Sequence, residues 1–374
     1  MPSSQSAASP VETLSAGVVP YGDAASLPTV AAFAKRHGLP VIVRDPGASG
    51  LLRSLVGDGH PAPLIADVGH WRNSVGAPDR PTILRDPLAL FSMDIDEWGS
   101  GFLAETRASA ALAPARFVQP ADWQTLSELV DDLTKITIPG VIPFIPTGPE
   151  MLDSPNLSQF ERVLSRLVSS PIALLFAGGR EALASLERLR GLRDVLARHD
   201  GAWLIGVDPL VAADSIVHGA AISAVGTRSG LRWPGRPGEP HRGFDARDFV
   251  PGLFNRPLMS HRSPSIYADW YIDDVAPICP ICRRSVDQYT SSEADKVAVV
   301  EHNLHAVREF TAELLNQPGT NRNSWLRGQR EDAFMAHRAL NPNATRVEAD
   351  RTLRALCGID DPSSRMTTPI GTWI

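Results

Sequence analysis

Cysteine is scarce in this chain, which has 3 among its 374 residues, and two of them lie together in Cys279-Pro-Ile-Cys282. So few cysteines exclude the disulfide framework of a small secreted protein, whereas a Cys-x-x-Cys pair is typical of a metal site or a redox centre. Cys357 is expected to be a structural thiol. Long apolar runs are also lacking, since no uninterrupted stretch approaches the roughly 18 residues that a membrane helix needs.

The composition lacks the features of a disordered chain, because 43% of the residues are hydrophobic and 21% are charged. The first residues also lack the basic segment followed by an apolar one that defines a signal peptide. Residues 1–20 are therefore expected to be a disordered lead, and the protein is expected to be cytoplasmic. The length accommodates one barrel of about 250 residues with appended pieces, or two ordinary domains.

Short apolar runs that end in Asp, Gly or Pro alternate with amphipathic stretches, which is the pattern of parallel β/α units. Eight candidate strands lie at 40–44, 63–67, 88–96, 116–118, 140–145, 171–177, 202–207 and 220–225. Between them, apolar residues recur at helical spacing over 126–133, 160–168 and 183–196. Eight strands would close a barrel, although an open doubly wound sheet shows the same alternation.

Charge is unevenly distributed along the chain. Residues 1–160 hold 17 acidic against 10 basic residues, while the remainder holds 25 against 26. The Pro- and Gly-rich stretch 228–262 combines aromatic residues with seven arginines: Arg228, Arg232, Arg236, Arg242, Arg247, Arg256 and Arg262. Arginines beside aromatic rings suit phosphates and unstacked bases, although a solvated loop has the same composition.

Two histidines follow the Cys-x-x-Cys pair at a spacing that suits zinc. His302 and His305 come 20 and 23 residues after Cys282, on a helix predicted to begin near Ser292 and to end before Asn316. At 100° per residue, His302 lies away from the apolar stripe of this helix. Cys279, Cys282 and His302 are therefore the predicted metal ligands.

The segment CPICRRS followed by EHNLHAVREF resembles the zinc-binding end of the guanine transglycosylases, enzymes that exchange guanine in nucleic acid for a 7-deazaguanine base. That family carries a CxCxxC knuckle before a helix with a His-Asn-Leu motif. The resemblance implies that Cys279, Cys282 and His302 hold a structural zinc ion, while the first family cysteine falls on Pro277, which has no ligand atom. The fourth ligand stays open among three residues: Asp273, Asp274 and His305.

The resemblance extends to the ends of the predicted strands, which form the active face of such barrels. Segment 63–69, PLIADVG, is similar to the family's Asp-Ser-Gly-Gly segment, and segment 226–230, GTRSG, is similar to its Pro-Thr-Arg-Ser-Gly motif. Asp96-Glu97 resembles the base-reading pair. The resemblance implies Asp67 as general acid/base and a set of substrate contacts: Asp96, Gly178, Gly179 and Arg228.

The chain also departs from the family pattern. Breaking an N-glycosidic bond builds positive charge at the anomeric carbon, so one carboxylate attacks or stabilises that carbon while another group moves a proton to the leaving base. The family nucleophile precedes the Thr-Arg motif, but segment 220–226, AAISAVG, contains no carboxylate. Asp208 is the candidate substitute, and Ser223 is a poorer one. The family's base-reading glutamine is replaced by segment 142–146, IPFIP.

The sequence therefore predicts a (β/α)8 TIM barrel over 21–270, a zinc-binding subdomain over 271–318 and a C-terminal helical extension over 319–374. The predicted function is a transglycosylase that exchanges guanine for a 7-deazaguanine base, with DNA favoured over tRNA, and with a homodimeric or heteromeric partner. Two alternatives stay open. One is a catalytically silent nucleic-acid-binding subunit; the other is a barrel enzyme for small molecules, which predicts no salt-dependent affinity for nucleic acid.

Overall fold

The computed structural model describes residues 17–44, 48–59, 62–85, 93–168, 171–239, 250–340 and 347–361. Within these ranges, nine strand segments form one parallel sheet. They are β1 (Gly17–Asp23), β2 (Val41–Arg44), β3 (Leu64–Asp67), β4 (Ala110–Leu112), β5 (Val141–Ile142), β6 (Phe144–Thr147), β7 (Ala173–Phe176), β8 (Trp203–Val207) and β9 (Ile222–Gly226). The sheet order is β5-β4-β3-β2-β1-β9-β8-β7-β6.

The two outer members of this order, β5 and β6, are halves of one extended segment separated by Pro143 alone. β5 pairs with β4, and β6 pairs with β7. Proline has no N–H to donate to a ladder, so a break in the strand at this residue is expected. The sheet begins and ends on the same segment, which gives the eight strands of a (β/α)8 barrel and confirms the predicted fold class.

Helices connect the strands and cover the barrel. They are α1 (Leu27–His37), α2 (Ala48–Gly57), α3 (Ile95–Thr106), α4 (Trp123–Leu133), α5 (Ser154–Leu164), α6 (Leu186–Arg198), α7 (Pro209–Val217), α8 (Ser229–Arg232), α9 (Pro264–Trp270), α10 (Glu293–Asn316), α11 (Arg322–Ala339) and α12 (Arg351–Asp360). Short 3-10 turns lie at His70–Arg72, Pro149–Leu152, Arg256–Leu258 and Gly319–Asn321. None of the described helices is both long and apolar enough to cross a lipid bilayer.

The four predicted helical stretches are confirmed as α4, α5, α6 and α10. Three of these helices begin after a capping side chain: Asp122 for α4, Ser185 for α6 and Ser292 for α10. Ser292 accepts a hydrogen bond from the Asp295 amide at the start of α10, at 3.1 Å, and Ser185 accepts one from the Arg188 amide at the start of α6, also at 3.1 Å. Such caps satisfy backbone donors that have no partner within the helix.

Two of the predicted strands are wrong, and two observed strands take their place. Segment 116–118 forms isolated bridges, whereas the barrel strand is β4. Residues 88–92 lie outside the described residues, and the end of that predicted strand is the first turn of α3, because Asp94 caps this helix by accepting from the Glu97 amide at 2.6 Å. The first barrel strand is β1, so the disordered lead expected over 1–20 is wrong for residues 17–20.

Alternation along the strands separates the barrel interior from the surface that faces the helices. Tyr21, Ile42 and Ile65 belong to the interior cluster. The residues that alternate with Ile42 on β2 and with Ile65 on β3 pack on the outer surface of the barrel, against α1 and α2. Side chains two positions apart on a strand share a face. The inward-facing series therefore ends in three polar residues at the carboxyl ends of β1, β2 and β3: Asp23, Arg44 and Asp67.

The chain after the barrel packs back onto β1 and α1. It adds a hairpin of β10 (Leu253–Asn255) and β11 (Ser260–Arg262). Asn303 on α10 fixes this hairpin, because its Oδ1 accepts from the Phe254 amide at 2.7 Å and its Nδ2 donates to the Gly252 carbonyl at 2.9 Å. Leu304, the next residue, packs with Val30 and Phe33 of α1.

A buried ion network attaches the C-terminal helices to the barrel. Arg330 on α11 is 1% exposed and donates to Asp214 on α7 at 2.6 Å and to Asp360 on α12 at 2.7 Å. Arg193 on α6 contacts the same two carboxylates, at 2.6 and 3.0 Å. Although burial alone would raise the pKa of Asp214, the two arginines lower it to about 2. The network joins four helices through charged groups that have little access to water.

Candidate active site and candidate metal centre

Three polar residues stand side by side at the carboxyl end of the barrel, and we refer to Asp23, Arg44 and Asp67 as the strand-end row. In the sheet register, Asp23 pairs with Arg44, and Arg44 pairs with Asp67. All three continue the inward-facing series of their strands. The carboxyl face of a (β/α)8 barrel is where active sites are found, so the row is the candidate active site.

Asp67 is 1% exposed and accepts three hydrogen bonds. The Tyr21 hydroxyl and the Trp71 indole N–H both donate to Oδ2, the latter at 3.3 Å, and the Gly69 amide donates to Oδ1 at 2.8 Å. Burial and the neighbouring carboxylate raise the pKa of Tyr21 well above its usual range. Asp67 is thus a fixed acceptor that orients two aromatic side chains, and it has little access to a substrate.

Asp23 is the more open carboxylate of the row, with 19% of its side chain exposed. Its Oδ2 lies 3.6 Å from an Arg44 nitrogen and 3.4 Å from an Arg228 nitrogen. Ser26 contributes its amide and hydroxyl to Oδ1 at 3.2 and 3.1 Å. The Thr227 amide donates to the Tyr21 carbonyl, which keeps the Arg228 loop against β1. Asp23 can therefore face a ligand at the barrel mouth while two cations balance its charge.

Further basic groups surround the row. Burial, followed by the nearby Arg44 cation, lowers the pKa of Arg72 from its usual value. Burial also lowers the pKa of His70, against the opposing effect of Asp67, so its imidazole is biased toward the neutral form. Arg228 is 52% exposed. This combination of cations and a neutral imidazole suits an anionic ligand such as a phosphate backbone.

Asp208 does not face the row and caps a helix instead. It is 7% exposed, and its Oδ1 accepts from the amides of Leu210 and Val211 at 2.9 and 3.0 Å at the start of α7. Burial raises its pKa to about 6, although the two amides oppose that shift. The loop shift that would bring Asp208 to the sugar is not seen. Ser223, the other candidate, is buried in β9 and contacts the Ser215 hydroxyl at 2.5 Å.

The Gly178 and Gly179 amides are not free to hold a base. Both donate to the Pro234 carbonyl, each at 2.9 Å. Gly179 has a φ of 78°, which favours glycine and makes the close turn possible. The glycine pair therefore closes the β7 turn against the segment after α8.

Asp96 lies in the first turn of α3 and not at a strand end, so its predicted place is wrong. Its carboxylate accepts from the Thr137 amide, at 3.0 Å, and from the Thr137 hydroxyl. Burial would raise the pKa of Asp96, but the hydrogen bonds from Thr137 lower it overall. Thr137 belongs to the loop that leads into the amino end of β5. Asp96 therefore anchors a loop away from the strand-end row.

Most arginines of the basic stretch serve the fold. Arg232 is 3% exposed and donates to the Gly226 and Thr227 carbonyls at 3.2 Å. Others form ion pairs, as Arg236 does with Glu150, Arg256 with Glu313 and Arg262 with Asp350. Arg242 and Arg247 lie outside the described residues. Arg228 is the arginine of the described stretch that remains at the barrel mouth.

The second candidate site joins Cys279, Cys282 and His302, which we call the Cys-Cys-His cluster. Their ligand atoms all lie within 4.8 Å of one another, with 3.4 Å between the Cys282 sulfur and His302 Nδ1. His302 Nε2 lies 3.0 Å from the Phe254 carbonyl, which fixes the ring with Nδ1 toward the sulfurs. A tight turn holds the cysteines, since the Cys279 amide donates to the Arg284 carbonyl. The cluster can therefore hold a metal ion, as predicted.

The electrostatics of the cluster favour deprotonated sulfur. Burial opposes ionisation of the Cys282 thiol, but hydrogen bonds from His302 and Tyr289 prevail and lower its pKa to about 6. Burial likewise disfavours the charged imidazole, yet the bonds to Cys279 and Cys282 raise the pKa of His302 to about 9. Thiolate is the form that binds metal, and a cation between the sulfurs replaces the proton.

None of the three proposed fourth ligands joins the cluster within the described ranges. His305 turns toward α1, where its ring lies 5.0 Å from the Phe33 ring and 6.1 Å from the His37 ring. Asp273 and Asp274 are also outside the group of ligand atoms that lie within 4.8 Å of one another. Of the three candidates left open, His305 does not join the cluster because the helix directs it to a face different from that of His302.

Two cavities lie outside the barrel interior. One, of about 450 Å³, separates α10 from β1 and β9 and is lined by apolar residues with the buried Arg232 and His261. The other, of about 380 Å³, lies beside the Cys-Cys-His cluster. Neither includes the strand-end row in its walls, so both lie away from the candidate active site, although the second borders the candidate metal centre.

No family model matches the chain, and no curated protein matches it.

Asp23 and Arg44 are the site residues that sequence reasoning missed. The signal was present, because GVVPYGD at 17–23 is an apolar run that ends in Asp, like the other strand candidates. This strand was not recognised because the run directly follows a polar stretch that resembles a disordered lead. The pairing of Asp23 with Arg44 and Arg228 joins residues up to 205 positions apart, which local patterns do not report.

Proposed function

We propose that this protein is a base-exchanging transglycosylase of the guanine transglycosylase type, acting on nucleic acid at the carboxyl mouth of its barrel. The observation that supports this most directly is the strand-end row, in which two inward-facing carboxylates flank an arginine. Cleavage of an N-glycosidic bond needs a carboxylate near the anomeric carbon and a means of moving a proton to the leaving base. The resemblance at 63–69 and 226–230 points to the same end of the barrel.

In this proposal Asp23 takes the place of the missing nucleophile. It lies on β1, which pairs with β9, the strand that lacks a carboxylate. Its carboxylate is partly exposed, so it can approach the anomeric carbon as that carbon becomes positive. Its ion pairs with Arg44 and Arg228 place cations beside it that suit a phosphate backbone. The C1′–N9 bond breaks as the Asp23 carboxylate bonds to C1′, and guanine leaves with a proton taken from solvent. The incoming 7-deazaguanine then displaces Asp23 from C1′, forms the new bond there and gives its proton to solvent.

Asp67 is assigned a positioning role through Tyr21 and Trp71, because its oxygens are occupied and it is 1% exposed. Asp208, Gly178 and Gly179 have structural roles in this proposal. Arg228 remains the proposed contact to the nucleic-acid backbone, and DNA remains favoured over tRNA by the resemblance.

The ion proposed for the Cys-Cys-His cluster is zinc, because two thiolates and an imidazole form a donor set that zinc prefers. When bound, it supplies folding energy by linking the turn at Cys279 to α10. His302 and Asn303 then hold β10 to the same helix through the Phe254 carbonyl and amide. No step of the base exchange uses this ion.

A second function is favoured by a separate observation. The glycine amides are occupied, β9 has no carboxylate, and Asp208 is a helix cap, so the base-holding groups expected from the resemblance are absent or committed elsewhere. A catalytically silent subunit that binds nucleic acid would need only the basic mouth around Arg228.

One experiment separates the two functions. The purified zinc-loaded protein is given labelled 7-cyano-7-deazaguanine with plasmid DNA or bulk tRNA, beside Asp23→Asn, Asp67→Asn and the control Asp58→Asn. Asp58 is an exposed residue after α2, at the opposite end of the strands. Label that enters one polymer and falls at least 100-fold in Asp23→Asn, but not in Asp58→Asn, supports the transglycosylase.

The other outcomes are equally informative. No label in either polymer, together with salt-dependent binding that weakens in Arg228→Ala, would support the silent subunit. Full incorporation by Asp23→Asn would refute the role of Asp23. Absence of both incorporation and binding would refute both functions and favour a small-molecule enzyme.

A further inference from the structure

A cavity of about 380 Å³ lies against the Cys-Cys-His cluster, between the cysteine turn, the segment after β10, α10 and α11. Cys279 and His302 belong to its wall. Apolar groups line much of the remainder, among them Ala306 on α10 and Ala333 on α11. An ion held by the cluster would therefore border a space large enough for a small molecule.

The cluster offers three protein ligands where tetrahedral zinc takes four. Within the described residues, no further His, Cys, Asp or Glu atom joins the group. Pro277 stands in the cavity wall beside Cys279 and has no ligand atom. Three protein ligands with one position left to solvent or substrate is the pattern of open zinc sites, whereas structural sites are closed by four.

The phenol of Tyr289 is a competing donor, since its oxygen lies 3.3 Å from the Cys282 sulfur. It lies beside Cys282, which is not part of the cavity wall, and a hydrogen bond to that sulfur accounts for its position. Tyr289 therefore acts as a partner of the thiolate, and within the described residues no His, Cys, Asp or Glu atom of the cavity wall other than those of Cys279 and His302 joins the cluster.

We propose that a metal ion held by Cys279, Cys282 and His302 completes its coordination from this cavity, with an exchangeable water or with a small molecule that carries a thiolate donor. This inference rests on the proposed metal centre and is independent of the base exchange. A thiol entering the site gives its proton to solvent as it replaces water. Sulfur donors suit the ion that this cluster selects.

The charged residues of the cavity wall indicate the rest of the ligand. Glu309 on α10 and Asp332 on α11 line the cavity, and the one arginine of the wall, Arg256, forms an ion pair with Glu313, with 2.8 Å between Nη1 and Oε1. Two carboxylates favour a cationic tail over an anionic one. The ligand class is therefore a small aminothiol.

The test uses the full chain loaded with Co²⁺, whose ligand-field absorption reports its coordination sphere. Cysteamine and 3-mercaptopropionate are the two probes, because both are thiols of similar size with opposite charge on the tail. We expect a saturable spectral change with one equivalent of cysteamine, and an affinity for it at least several-fold higher than for 3-mercaptopropionate.

Ala306→Leu locates the site. Residue 306 lies one helical turn after His302, and side chains on a helix lean toward its amino end, so the added atoms fill the cavity beside the ligand. The matched control is Ala312→Leu, on the same helix but in the wall of the other cavity. The response to cysteamine should fall at least tenfold in the first variant and persist in the second. The titration of the unmodified protein decides the question even if Ala306→Leu fails to fold.

Three results would overturn the inference. A Co²⁺ spectrum that does not respond to either thiol means a closed site. A spectrum that changes in Tyr289→Phe to that of a site lacking an oxygen donor means that the phenol is the fourth ligand. A chain that binds no Co²⁺ overturns the metal centre as well, whereas failure of base exchange leaves this inference intact.

Discussion

Replacing Arg330 with alanine should strongly destabilise this protein. The side chain is 1% exposed and makes two charge-assisted hydrogen bonds, to Asp214 and Asp360, which are themselves 1% and 6% exposed at their side chains. Removing one partner from a buried ion network costs about 3 to 5 kcal/mol, because the remaining charges lose their compensation. Arg193 still contacts both carboxylates, so we expect a value at the lower end of that range.

The assay is urea unfolding followed by far-UV circular dichroism, with Arg327→Ala as the control. Arg327 lies on the same helix but is 45% exposed, and its ion pair with Glu331 joins two surface residues. Exposed pairs of this kind contribute less than about 1 kcal/mol. Equal losses of unfolding free energy in the two variants would refute the reasoning that burial makes Arg330 important.

Acid titration gives a second measurement on the same variant. The pKa of Asp214 is lowered to about 2 in the folded protein, below the value of about 3.9 for an unfolded chain. Its contribution to stability is therefore complete above about pH 4 and is lost as the pH falls toward 2. Without Arg330 the folded pKa moves back toward the unfolded value, so Arg330→Ala should lose less stability across this interval than the unmodified protein.

Three further predictions follow from the sites. Burial raises the pKa of Asp208 to about 6, so the folded state binds its proton more readily than the unfolded state between about pH 4 and 6. The free energy of unfolding in urea should therefore fall as the pH rises through this range. It should fall less in Asp208→Asn, which keeps a capping oxygen. Cys282→Ser should reduce the amount of bound zinc, measured by atomic emission, and should also reduce the melting temperature. Cys357→Ser should leave the zinc content unchanged. Tyr21→Phe removes a donor from the buried Asp67 carboxylate and should cost about 1 to 3 kcal/mol in urea unfolding; an unchanged midpoint would contradict that contact.

The Cys-Cys-His cluster was largely predictable because its parts are local. The two cysteines lie in one tight turn, and the helical phase of α10 places His302 on a defined face. The fourth ligand was not predictable, because it depends on which elements pack against that turn. Helical spacing suggested His305 as a neighbour of His302, but the packing of α1 against α10 turned it toward Phe33.

The sequence by itself determined the alternation of strands and helices, the caps at Ser185 and Ser292 and the Cys-Cys-His spacing, because each depends on residues within a few turns of one another. Only the tertiary structure decided which polar strand ends meet. Asp23, Arg44 and Asp67 are neighbours because of the parallel register of β1, β2 and β3. The carboxylates of Asp96 and Asp208 instead accept hydrogen bonds from nearby backbone amides. Closing the barrel joins segments far apart in the chain, and the register of those segments depends on packing that no local pattern contains.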